Sequence, residues 1–290
     1  MMIGIIAGTG LGEAFFKDAY VEERVVETPF GRPSSPVRIV ELGSARVAII
    51  ARHGDGHTLP PSSVPYRANV FALKAVGVTH LVTSGAVGSL REAIAPRDLV
   101  LVDQLIDRTY RRVPTFFDEG IAVHAELAQP YCPALRERLA RLATGAHTSA
   151  TYVCIEGPAF STLAEANMHR AFGADVVGMT ALPEARLARE AEMCCAIVAF
   201  ATDYDCWRPR PHAPPGTTKN ALLAEIIGHV EVATANAVTL VRSLVADLLR
   251  EPPAPCACQA ALELAIWTRR DKIAPAHVTR YGPLLAKYLG

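Results

Sequence analysis

Asp203 and Asp205, in the segment Thr202-Asp203-Tyr204-Asp205-Cys206-Trp207, are spaced to act together. Two neighbouring carboxyls raise one another's proton affinity, and burial adds to the effect. An ordinary Asp, with a pKa of about 3.9, is protonated in only about one part in a thousand at neutral pH. A perturbed one becomes a usable general acid. Ionised, it accepts hydrogen bonds from an amino group or a ring N–H. A solvated acidic loop has the same composition, so the pair alone leaves both roles open.

A second chemistry, anion binding, is offered elsewhere. Arg52-His53-Gly54 brings a planar fork of donors suited to phosphate beside an imidazole. Gly8-Thr9-Gly10-Leu11-Gly12 can form a tight turn whose amides, with the Thr9 hydroxyl, face an anion. It is not a dinucleotide fingerprint, because GxGxxG needs glycine where Glu13 stands. The small residues Ser84-Gly85-Ala86-Val87-Gly88-Ser89 let a ligand approach the backbone, or form a strand-to-helix turn. In Gly178-Met179-Thr180 the methionine could lie beneath a sugar and the hydroxyl face phosphate; core packing and helix capping are the alternatives. In Glu156-Gly157-Pro158-Ala159-Phe160-Ser161, Phe160 can stack on a flat ring or fill a core.

All six clusters follow or interrupt short apolar runs. Strands are expected at Ile3–Ala7, Val47–Ala51, His80–Ser84, Leu99–Val102, Tyr152–Ile155, Val176–Met179 and Cys195–Thr202. Helical patterns cover Tyr66–Val76, Cys132–Leu142, Thr162–Ala171, Pro183–Glu192 and Asn220–Arg250. Continuous apolar strands alternating with helices predict an α/β fold whose sheet is buried on both faces. In such sheets ligands sit outside the carboxyl ends of the strands, where the clusters fall. Two breaks follow: Arg208–Gly216, with four prolines in nine residues, and Glu251–Pro255. The expected organisation is a body over 1–250 and a short helical appendage over 251–290 packed on it.

The 290 residues are half apolar and one-fifth charged, which excludes a mainly disordered chain. Lys+Arg and Asp+Glu number 29 each, so no charge imbalance points to nucleic acid or an anionic membrane. We expect no membrane span, since no uninterrupted apolar run reaches roughly 18 residues. The first apolar run lacks a basic flank and reads as a core strand, giving an expectation of a cytoplasmic protein. The seven cysteines are Cys132, Cys154, Cys194, Cys195, Cys206, Cys256 and Cys258. Their odd number and the apolar surroundings of most of them read as mainly reduced core thiols. Cys256-Ala257-Cys258 has no second CxC or CxxC in range, so spacing argues against a four-cysteine zinc site.

The order of the motifs resembles the S-methyl-5′-thioadenosine phosphorylase family, within the trimeric class of purine nucleoside phosphorylases. The resemblance runs from about Ile3 to Leu249. It is carried by GTGLG, ETPFGRPS (Glu27–Ser34), ARHG, YRANVFALK (Tyr66–Lys74), AVGSLRE, DQLIDRT (Asp103–Thr109), EGPAFS, GMTALPEA and TDYDCW. It implies a single α/β domain with a central twisted mixed sheet flanked by helices. The implied reaction is reversible phosphorolysis of 5′-methylthioadenosine to adenine and 5-methylthioribose 1-phosphate, in methionine and purine salvage, without metal or organic cofactor. The nearest alternative is a nucleoside phosphorylase for inosine, guanosine, adenosine or methylthioinosine; a hydrolase and a non-catalytic purine binder are others.

By the same resemblance Thr9, Arg52, His53, Gly85, Ala86 and Thr180 surround the phosphate. Phe160, Ser161 and Met179 contact the nucleoside, with Asp203 and Asp205 facing the purine and Asp203 expected at N7. His124 is implied to reach a neighbouring subunit's site, which requires a homo-oligomer: a trimer, or a hexamer of paired trimers. Departures from the family pattern are Gly85, where Ser or Thr is frequent, Ala159, where Arg is frequent, and the Pro-rich segment after Trp207. In some members a tail CxC takes part in disulfide chemistry.

Overall fold

A computed structural model describes residues 2–8, 10–16, 20–208 and 219–289. In chain order the strands are β1 (Met2–Ala7), β2 (Tyr20–Arg24), β3 (Val37–Leu42), β4 (Ala45–Ala51), β5 (Val78–Ser89), β6 (Leu99–Leu101), β7 (Gln104–Arg108), β8 (Thr151–Ile155), β9 (Val176–Gly178) and β10 (Cys194–Asp203). The helices are α1 (Leu11–Phe16), α2 (Tyr66–Ala75), α3 (Pro133–Leu142), α4 (Leu163–Ala171), α5 (Ala181–Glu190), α6 (Lys219–Arg250) and α7 (Pro275–Leu289).

The most apolar runs form the centre of one mixed sheet. β1 lies between β4 and β5, and β10 lies against β5, all in parallel. The antiparallel β3 and β2 extend one edge, while β6 pairs antiparallel with β10. At its far end β5 turns to pair antiparallel with β9, which continues in parallel through β8 to β7. Alternate residues of a strand face opposite sides, and both sides are covered. Ile6 and Ile50 pack with Phe71 of α2, Leu187 of α5 and Leu284 of α7. Ile3, Ile5 and Ile49 pack on the other side with Phe15 of α1, Leu139 of α3 and Leu244 of α6. The expected α/β class and flanking helices are what the chain adopts.

Three details depart from the sequence expectations. Ser84–Ser89 is not a strand-to-helix turn: β5 runs on through it, paired with β10 and β9. β2 and β3 were not expected, because Glu22, Glu23, Arg38 and Glu41 interrupt their apolar pattern at an exposed edge. Within α6, Ile227–Arg250 is long and apolar enough to cross a membrane by length and composition, contrary to the expectation that nothing would be. Half of that stretch is buried in the fold, and Ala233, Ala237, Val241, Val245 and Leu248 supply its core face.

Beyond residue 250 the chain contributes Leu262, Ala265, Tyr281, Leu284 and Leu285 to the first core layer. The Tyr281 hydroxyl donates to the Glu119 carbonyl at 2.7 Å.

Candidate active site

The carboxyl ends of β4, β8, β9 and β10 meet the end of β5 around a cavity of about 390 Å³. Arg52, His53, Gly85, Ala86, Phe160, Ser161, Met179, Thr180, Asp203 and Asp205 all line it. These residues come from five separate stretches of chain, so only the sheet brings them together.

Arg52 leaves β4 and is fully buried. Its Nε donates to Glu184 Oε1 at 2.5 Å and its Nη2 to Glu184 Oε2 at 2.8 Å. Nη1 donates to the Ser84 carbonyl at 2.6 Å, and Nη2 reaches the Ile6 carbonyl at 3.5 Å. A guanidinium has five N–H donors, so among the described residues one Nη1 hydrogen remains at the cavity wall. Burial works against the Arg52 charge, but the Glu184 carboxylate holds its pKa above the ordinary value. Close approach dictates Gly8 here: a Cβ on it would stand 2.6 Å from both Arg52 Nη1 and the Ser84 carbonyl oxygen. The Gly8 amide donates to Ser84 Oγ at 3.2 Å, so it serves the protein and not an anion.

His53 is turned by a 2.8 Å hydrogen bond between Nδ1 and the Leu59 carbonyl, in which Nδ1 must be the donor. Burial, then the Arg52 charge, pushes its pKa down to about 4. The ring is therefore neutral at pH 7, with Nε2 an acceptor. His57, also on the cavity wall, stacks on it with centroids 4.2 Å apart.

Thr180 and Met179 sit where β9 passes into α5. The Thr180 amide donates to the Tyr152 hydroxyl at 3.3 Å. Gly178 is required there, since a Cβ would lie 2.0 Å from that hydroxyl. Buried Arg112 ties two turns together: Nη1 donates to the Met179 and Leu182 carbonyls, both at 2.6 Å, and Nη2 to the Glu156 carbonyl at 2.8 Å. Burial works to raise the Glu156 pKa, but hydrogen bonds from Ser62 and the Tyr110 and Arg111 amides hold it below the usual value.

The opposite end is acidic. Asp203 Oδ1 accepts from the Asp205 amide at 2.7 Å and Oδ2 from Thr202 Oγ1 at 2.8 Å. Burial, then the Asp203 charge, raises the Asp205 pKa above the ordinary carboxyl value. Among the described residues Asp205 Oδ2 and Ser161 Oγ are buried without a well-aligned hydrogen-bond partner, although Ser161 is near enough to Asp205 to moderate its raised pKa. Buried polar atoms are nearly always paired, and an orphan costs about 1–3 kcal/mol. Two orphans on one cavity wall mark where a polar ligand would complete the network. Phe160 is 83 % exposed at this rim, which removes the core reading of that ring.

Anion donors thus face an acidic, aromatic rim across one cavity, and the sequence profile of the phosphorylase superfamily matches residues 2–246. The chain belongs to that superfamily. It is similar to an S-methyl-5′-thioadenosine phosphorylase of Gloeobacter violaceus, at 43 % identity over 99 % of this chain and 95 % of that one. Its fold matches a methylthioadenosine phosphorylase from an Antarctic soil metagenomic library with TM-score 0.88 and 40 % identity, covering 98 % of both chains. A variant of the Schistosoma mansoni adenosine/methylthioadenosine phosphorylase, solved in complex with methylthioadenosine, matches with TM-score 0.83 and 31 % identity, covering 92 % of this chain and 99 % of that one.

Of the residues expected from the sequence, Thr9 lies outside the described residues, as does most of the Pro-rich segment, 209–216. His124 does not line this cavity; it is exposed, edge-on to Trp267 with centroids 5.0 Å apart. Glu184, Arg112 and Tyr152 were missed as positioning residues. Glu184 stands in the quoted GMTALPEA motif, but nothing in its spacing names a partner 132 positions away. Arg112 lies among other arginines, and Tyr152 reads as an ordinary strand aromatic.

Proposed function

We propose that this chain is a pentosyltransferase that catalyses reversible phosphorolysis of 5′-methylthioadenosine, giving adenine and 5-methylthioribose 1-phosphate. The observation that carries the reading is a single cavity with Arg52, His53 and Thr180 at one end and the Asp203–Asp205 pair at the other. That is the charge distribution the reaction needs. As the glycosidic bond breaks, the ribose gains positive charge and the purine negative charge.

In this reading phosphate takes the remaining Arg52 N–H, the Thr180 hydroxyl and the Ala86 amide. Gly85 leaves room, since among the described residues a Cβ there would meet only Thr180 Oγ1, at 3.2 Å. Neutral His53 presents Nε2 as acceptor to a protonated phosphate oxygen. Phosphate below the ring stabilises the oxocarbenium-like sugar and then attacks C1′, while Met179 packs beneath the ribose. Catalysis is positioning and electrostatics aimed at developing charge. No covalent enzyme intermediate is needed.

The base end divides its labour. Asp203, already accepting at both oxygens, serves as an acceptor toward the 6-amino group. Asp205, its pKa raised by burial and by Asp203 and its Oδ2 without a well-aligned partner among the described residues, is the better proton store for N7. The sequence reading placed Asp203 at N7; we propose Asp205 there instead. A 6-oxopurine would set acceptor against acceptor, a mismatch of about 1–3 kcal/mol, or roughly five- to 150-fold in selectivity. Phe160 covers the base. Exposed His124 fits a role at a neighbouring subunit's site in a trimer or hexamer.

The test is base release from 5′-methylthioadenosine and from inosine, each with and without phosphate. Adenine released only with phosphate is the expected result. Release without phosphate would make the chain a hydrolase, and phosphate-dependent cleavage of inosine alone would overturn the substrate.

A further inference from the structure

Four thiols separated by up to 126 positions converge at the end of β10 remote from the cavity. The Sγ atoms of Cys132, Cys194, Cys256 and Cys258 all lie within 4.8 Å of one another, and Cys132 and Cys256 are 3.6 Å apart. Cys132 precedes α3, Cys194 opens β10, and the tail after α6 supplies the other two. The fold thus provides the second pair that spacing along the chain did not. Three of the four residues are buried and Cys256 is half-buried. A tetrahedral zinc with Zn–S bonds of about 2.3 Å places its sulfurs about 3.8 Å apart. The Cys132–Cys256 separation is within tenths of an ångström of that value, and the widest separations, up to 4.8 Å, close to it with shifts of up to about 1 Å.

A second observation points the same way. Arg189, 8 % exposed, directs Nη1 at Cys258 Sγ from 3.4 Å, while Nη2 donates to the Gln129 carbonyl. Among the described residues this buried guanidinium has no carboxylate partner. Buried charges are paired, and a thiolate cluster supplies the anion that four neutral thiols or two disulfides would not.

We infer that Cys132, Cys194, Cys256 and Cys258 form a structural tetrathiolate site for one zinc ion, clamping the C-terminal tail to the α3 and β10 ends of the core. Binding replaces the S–H protons by one dication and releases them to solvent, with no change of oxidation state. The resulting complex carries two net negative charges, which Arg189 partly offsets. Because β10 is ten residues long, the cluster and Asp203 are separated by about 30 Å at roughly 3.3 Å per residue. The ion is therefore remote from the reacting groups.

The experiment uses the full chain purified without chelator, with zinc measured by elemental analysis and free thiols counted after denaturation under anaerobic conditions. About one zinc per chain is expected, released by a mercurial thiol reagent. Reconstitution with Co²⁺ should give the thiolate charge-transfer and ligand-field bands of a tetrahedral tetrathiolate. Cys194→Ser should abolish metal retention and lower the melting temperature by roughly 5–10 °C. If that variant does not fold, Cys256→Ser, at the half-buried corner, should bind zinc more weakly with unchanged phosphorolysis at moderate temperature. A reduced protein that neither retains nor takes up zinc would overturn the proposal. So would a denatured thiol count that lacks these four as disulfides.

Discussion

Replacing Glu184 by Gln removes the charge that balances Arg52 while conserving volume. In the native protein both side chains are 1 % exposed and joined by two hydrogen bonds of 2.5 and 2.8 Å. The amide retains one acceptor but sets an NH₂ donor against a guanidinium donor, so one bond is lost and a buried cation is left unbalanced. Removing one partner of a buried ion pair costs about 3–5 kcal/mol. At roughly 2 °C per kcal/mol for a chain near this size, melting should fall by about 6–10 °C. Arg52 would also lose the clamp that aims its remaining Nη1 hydrogen. A charge-assisted hydrogen bond contributes about 1.5–3 kcal/mol, so the phosphate KM should rise roughly ten- to hundredfold. Calorimetry and phosphate-dependent adenine release read the two effects separately. The double variant Arg52→Met/Glu184→Leu separates them further: an apolar pair should recover much of the stability and none of the phosphate-dependent activity. A Glu184→Gln protein with native melting and native phosphate KM would refute the reasoning.

Asp203→Asn should shift the ratio of catalytic efficiencies from 6-aminopurine toward 6-oxopurine nucleosides by about five- to 150-fold; an unchanged ratio would remove Asp203 from base recognition. His53 gives a pH signature. Its folded-state pKa is pushed down to about 4 against an ordinary 6.5, so between those values the unfolded chain binds a proton that the folded chain refuses. The stability owed to neutral His53 is complete above pH 6.5 and lost as pH falls toward 4; urea midpoints across that window should slope less in His53→Asn. Gly8→Ala would place a methyl 2.6 Å from Arg52 Nη1 and from the Ser84 carbonyl oxygen. We expect a loss of about 1–3 kcal/mol from overpacking and a raised phosphate KM, and a native KM would show that Arg52 tolerates displacement.

Much of the centre of this fold was legible because its strands are buried on both faces. Ile3–Ala7, Val47–Ala51 and Cys195–Thr202 are near-continuous apolar runs, and polar side chains there would lack partners. Chemistry-bearing residues at the ends of those runs were legible for the same reason: a sheet of this class presents its carboxyl strand ends to the ligand. Strands β2 and β3 were not, because their charged positions satisfy water at an open edge and break the pattern.

What the tertiary structure alone decided is which distant groups share a space. Residue types made Asp203 and Asp205 equal candidates; only burial and the direction of each hydrogen bond distinguish them. Arg52 offered donors for phosphate, but that four of them are spent on Glu184, Ser84 and Ile6 follows from the placing of α5, β5 and β1 around the end of β4. The four clustered thiols had no informative spacing, since α3, β10 and the tail meet only once the sheet is complete. Local sequence carries periodicity and turn chemistry, which act over a few residues. Charge pairing, thiol convergence and orphaned polar atoms depend on distances across the core, and these exist only in the folded chain.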